Sequence, residues 1–116
     1  MENKVTLTAD KLVVIPQGLT KITALKTKIA VPLAHVLGAS IDNGILKESK
    51  GLRLPGTAVP GYWTGSFFKD GEESFFNVKM SDQAVVIQLK DEKYTRLILG
   101  VANPTELVNA INNQLD

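Results

Sequence analysis

Phe67-Phe68-Lys69-Asp70-Gly71-Glu72-Glu73-Ser74-Phe75-Phe76 is the stretch from which the fold can be read. Asp70-Gly71 sits between two aromatic runs, and in that setting an Asp-Gly pair is the strongest short-range signal for a two-residue β-hairpin. A type I′ turn needs positive φ at both central residues, which glycine adopts without strain. The chain around this hairpin keeps a period of two, the mark of half-buried strands. Residues 62–68 read as an aromatic strand, 84–89 as a β-branched strand, Asp91-Glu92 as a turn and 94–99 as the returning strand. Towards the N-terminus, Val5 and Leu7 alternate with polar neighbours, Ala9-Asp10 turns the chain, and residues 11–15 form a more continuous apolar strand closed by Pro16-Gln17-Gly18. Thr27, Ile29 and Val31 alternate with Lys26 and Lys28 until Pro32, which has no N–H to give a ladder. Leu37, Ala39 and Ile41 read as the inner face of a further strand, with Asn43-Gly44 as a tight turn in left-handed backbone. Seven or eight short antiparallel strands result.

One segment has a different period. Asn103 is suited to an N-cap, Pro104 to the first helical position and Glu106 to a capping box. Leu107, Val108, Ile111 and Leu115 then fall on one apolar stripe. An isolated helix of about 12 residues is marginal in water, so the stripe must dock on the sheets.

Composition excludes more than it selects. A chain of 116 residues suits one domain spanning residues 1–116, and a 44% hydrophobic, 22% charged make-up is that of a globular protein. With no cysteine there are no disulfides, thiolate metal sites or cysteine nucleophiles. The start Met1-Glu2-Asn3-Lys4 leads into no apolar h-region, and no apolar run reaches the length of a membrane span, so a cytoplasmic location is expected. The net charge of +1 is far from that of a nucleic-acid domain, although residues 1–53 hold eight Lys/Arg against four Asp/Glu. His35 is the only histidine and reads as a half-buried structural residue with one hydrogen bond. No phosphate-binding glycine loop, Gly-x-Ser-x-Gly elbow or spaced Asp-x-Asp-x-Asp loop occurs, so neither catalysis nor a cofactor nor a metal is expected.

Residues 45–61 interrupt the strands. Lys47-Glu48-Ser49-Lys50-Gly51 is a polar loop, and Leu52 to Gly61 an extended arm carrying two Pro-Gly pairs. A connection this long inside a small domain either serves a function or packs down in order. Arg53 offers a planar fork for carboxylate or phosphate, and Leu54 is among the apolar residues the arm can bury. Tyr62, Trp63, Phe67, Phe68, Phe75 and Phe76 crowd into the strands beyond it, most of them expected in the core.

The order of many short strands and then one terminal amphipathic helix resembles the pleckstrin-homology superfold. The stretch Arg53-Leu54-Pro55-Gly56-Thr57-Ala58-Val59-Pro60-Gly61-Tyr62-Trp63-Thr64-Gly65-Ser66-Phe67 and the helix start Asn103-Pro104-Thr105-Glu106 look like the bacterial PH-like domain family. The resemblance implies a mainly β sandwich or partly open barrel, with two orthogonal sheets and one C-terminal α-helix plugging an open end. Phosphoinositide-binding PH domains grip the headgroup with a Lys/Arg cluster around the first strand loop. Here that loop is Thr8-Ala9-Asp10, flanked only by Lys4 and Lys11.

The reading that follows is a non-enzymatic binding or assembly module for a protein partner, with Arg53, Lys47, Lys50, Leu54 and Trp63 as candidate interaction residues. No nucleic-acid partner is expected, because few basic residues interleave the aromatics. Two other readings stand beside it. One is a carrier of a small apolar ligand in the barrel mouth. The other, not favoured, is a module on an anionic membrane surface using Lys21, Lys26, Lys28, Lys47, Lys50 and Arg53.

Overall fold

The structure is a computed structural model that describes residues 3–17, 28–46, 52–53 and 61–115. Nine strands and a C-terminal helix follow one another among these residues: β1 (Asn3–Leu7), β2 (Lys11–Pro16), β3 (Ile29–Pro32), β4 (Val36–Ile41), β5 (Leu52–Arg53), β6 (Tyr62–Lys69), β7 (Glu72–Lys79), β8 (Val85–Leu89), β9 (Arg96–Leu99) and α1 (Pro104–Leu115). They make two sheets, a three-stranded one in the order β1-β2-β3 and a six-stranded one in the order β4-β8-β9-β7-β6-β5.

The main core lies between the sheets. Leu12, Val14, Ile29 and Val31 from the small sheet meet Phe75, Val85, Ile87, Leu97 and Leu99 from the large one, and Ile111 of α1 is buried among them. These residues alternate with outward neighbours along β2 and β3, as the period of two requires. The sandwich-and-helix architecture expected from the sequence is therefore present.

α1 bridges the two sheets at their open side. Leu107, Val108 and Leu115 pack around the core while Ile111 is wholly buried in it. The Asn112 side chain binds the edge strand β4: its Oδ1 accepts from Ala39 N–H and its Nδ2 donates to Ala39 C=O, both at 2.9 Å. Gln114 Nε2 donates to Thr8 C=O at 3.0 Å, tying the last turn to the β1–β2 hairpin.

Asn3 fastens the other end. Its N–H donates to Gly100 C=O, its Nδ2 donates to the carbonyls of Asn77 and Gly100, and its Oδ1 accepts from Asn77 Nδ2. Both asparagines are buried, and the pair joins the small sheet to the ends of β7 and β9.

The Asp70-Gly71 hairpin has the geometry anticipated for it, with Lys69 paired to Glu72 and φ of 55° and 79° at the two turn residues. Valine at Gly71 is expected to destabilise the protein by about 1–2 kcal/mol, the cost of left-handed backbone for an L-residue, and more because valine is β-branched. A urea melt superimposable on that of the wild type would show that the turn does not depend on glycine.

Three local expectations need correction. The strands are not all antiparallel: β7 and β9 pair in parallel, because the β8–β9 hairpin inserts between β4 and β7. Leu37 does not face inward. A register shift between Val36 and Gly38 turns Val36 into the core and leaves Leu37 59% exposed. Asn43-Gly44 is not a turn in left-handed backbone but the start of a 3₁₀ turn, Asn43–Leu46, in which Asp42 Oδ1 accepts from Gly44 N–H and Asn43 Oδ1 from Ala84 N–H. The third strand begins at Ile29, and Thr27 lies outside the described residues. Among the described residues, no helix is long and apolar enough to cross a membrane.

Candidate functional site

The six-stranded sheet also buries apolar groups on the face turned away from the small sheet. Alternation puts Trp63, Gly65, Phe67 and Lys69 of β6 on that face. Register places Val78, Phe76, Ser74 and Glu72 of β7 opposite them. Phe67, Phe76, Val78, Ala84, Val86 and Ile98 form a second cluster there, packed against by Ile45, Leu46 and Trp63. Phe67 and Phe76 meet edge to face, with centroids 5.0 Å apart, and Trp63 meets Phe67 in the same manner at 6.2 Å. Gly65, at φ 102°, stands opposite Phe76. A side chain there would need backbone that L-residues rarely adopt.

A bowl of about 320 Å³ opens beside these rings. Phe67, Phe76 and Ile45 supply its apolar lining, and Asp42, Lys69, Asp70, Glu72, Ser74, Gln88 and Arg96 its polar lining. Arg96 is held from two sides. Its Nη1 donates to Ser74 Oγ and its Nη2 to Glu72 Oε1, each at 3.1 Å. Glu72 is half in solvent, so the ion pair contributes little to stability, about 0–1 kcal/mol. Its effect is to aim the guanidinium, which spends two of its five N–H groups on these partners.

The bowl is lined by charges of both signs. Three acids and two bases line it, a mixed field that favours no simple anion or cation. Phe67 and Phe76 form its floor with little exposure, and a fixed arginine beside polar neighbours is a residue type enriched where proteins meet. His35 plays no part: its Nδ1 lies 2.5 Å from Glu92 Oε2, in the half-buried structural position expected of it.

Of the residues singled out from sequence, Trp63 is half-buried against Phe67 on this face, and Arg53 pairs through its backbone with Phe67 at the sheet edge. The two therefore belong to neighbouring strands next to the bowl. Lys47, Lys50 and Leu54 lie outside the described residues. Sequence reasoning missed Arg96, Ser74 and Glu72. Ser74 and Arg96 become neighbours only through the parallel β7–β9 pairing, which no local pattern announces.

Two sheets sharing a core, with a C-terminal helix docked across their open side, define a pleckstrin-homology-like sandwich. Compared with family models, the chain matches the bacterial PH domain over residues 6–115, and it belongs to that family. No curated protein and no solved structure matches it.

Proposed function

We propose that this chain is a non-enzymatic binding module that docks a partner protein on the outer face of its six-stranded sheet. The observation that carries the reading is the bowl beside Phe67 and Phe76, with Arg96 held in place by Ser74 and Glu72. Membership of a PH-like family supports it, since the fold is used as a platform for recognition; fold analogy alone does not name the partner. The mixed charge of the bowl speaks for a protein surface over a lipid headgroup, which calls for clustered cations. Between the sheets, the described residues pack with little or no exposure, an arrangement suited to a platform more than to a carrier.

A photo-crosslinking side chain placed at Lys69 or Gln88, on the lip of the bowl, is expected to trap one discrete protein in cells. The same group at Ala34, an exposed residue outside the lining of the bowl, should trap none. Arg53→Ala should reduce the trapped product while leaving the melting temperature nearly unchanged. Equal trapping from all three positions would overturn the reading. So would capture of the protein by anionic vesicles in a manner abolished by salt.

A further inference from the structure

β1 is an outer strand of the small sheet, and the direction of its backbone groups follows from two hydrogen bonds. Thr8 N–H donates to Lys11 C=O at 2.9 Å, so Thr8 is a bonded position facing β2. Bonded and non-bonded positions alternate along an antiparallel pair. Thr6 and Lys4 therefore also turn to β2, whereas Leu7, Val5 and Asn3 turn their N–H and C=O groups away. Asn3 fits this phase, since its N–H reaches Gly100 C=O on the far side at 3.0 Å. Val5 and Leu7 thus present two donors and two acceptors to a side on which no strand lies among the described residues.

A groove of about 330 Å³ runs along that side, between β1 and the first turns of α1. Val5, Val101, Leu107 and Ala110 give it an apolar wall, and Glu106 is its one charged lining residue. The Asn3 bond to Gly100 bounds it at one end and the Gln114 bond to Thr8 at the other. Between these bonds the backbone groups of Val5 and Leu7 are paired by no strand among the described residues.

We propose that this groove accepts an extended basic segment of a partner protein as an additional antiparallel strand on β1. Strand addition uses main-chain hydrogen bonds for affinity and alternate side chains for selectivity. A residue opposite Val5 shares its face, so the segment's inward side chains meet Leu107, Ala110 and Glu106. The fitting pattern has apolar and basic residues at alternate inward positions. This site is separate from the bowl on the large sheet, and either can fail without the other.

The test titrates the full isotope-labelled chain with the peptide acetyl-Thr-Val-Thr-Lys-Thr-Val-Thr-amide, followed by amide chemical shifts. Saturable shifts are expected at Val5, Leu7, Leu107 and Ala110. N-methylation of the valine and lysine amides, which removes the donors aimed at β1, should weaken binding about tenfold or more. N-methylation of the inner threonines should leave it close to unchanged. Glu106→Gln should weaken the lysine peptide and spare a version with valine in place of lysine. Equal loss from both methylated peptides, shifts confined to other surfaces, or no saturation at about millimolar peptide would overturn the proposal. Self-association of the free chain through β1 would do so as well.

Discussion

Ile111→Ala is expected to cost about 2–5 kcal/mol, the usual range for emptying a buried aliphatic site. Ile111 has no exposed surface, and it meets residues of both sheets from a helix that belongs to neither. A domain of this kind holds only about 5–15 kcal/mol in all, so the melting temperature should fall by roughly 10 °C or more. Leu107→Ala is an internal control. Leu107 is only half-buried, so its truncation leaves a smaller cavity and should cost distinctly less. Removal of residues 103–116 should abolish cooperative folding. A truncated chain with a dispersed, native-like NMR spectrum would refute the docking role given to α1.

Asn3→Ala should be the next most damaging change. It strips two donated bonds from buried carbonyls, at 2.8 Å to Asn77 and 2.9 Å to Gly100, and leaves Asn77 Nδ2 without its acceptor. Each buried polar group left unpaired costs roughly 1–3 kcal/mol. Gly100 C=O and Asn77 C=O keep other bonds, from Asn3 N–H and Gly100 N–H, so the total should stay near 2–4 kcal/mol. Asn3→Asp separates hydrogen bonding from packing. The shape is conserved, but an acceptor replaces the donor facing two carbonyl oxygens. It should therefore be at least as harmful as alanine in a urea melt. If both variants stay within about 0.5 kcal/mol of the wild type, the asparagine pair does not secure the sheets.

Local features of this chain were legible and its long-range ones were not. Asp70-Gly71, the alternation in β1 to β3 and the Asn103-Pro104 helix start each act within a few residues, so their patterns are written in consecutive positions. The parallel β7–β9 pairing depends on where a later hairpin inserts, and the register carries no mark of that. The bulge at Val36 is similar. One residue of slippage sends Leu37 to solvent although it stands in phase with Ala39 and Ile41. The bowl inherits this limit. Phe67 and Phe76 were readable as an aromatic pair, but Arg96 reaches Ser74 only through the tertiary pairing. Trp63 and the Arg53 backbone fall beside the bowl because β5 and β6 are sequential neighbours.

The clasp of Asn112 on Ala39 has a kinetic consequence. It joins positions 73 residues apart, so it closes only after the intervening chain has been organised. Until then β4 is an outer strand with open backbone groups at Ala39, in a segment, Val36–Ile41, well suited to pair with another molecule. Fraying of α1 in the native protein recreates the same state, uncovering the edge and the apolar interior together. Aggregation should therefore begin from molecules in which α1 has detached. A more helix-prone residue at exposed Asn113, which touches neither the clasp nor the core, should slow it.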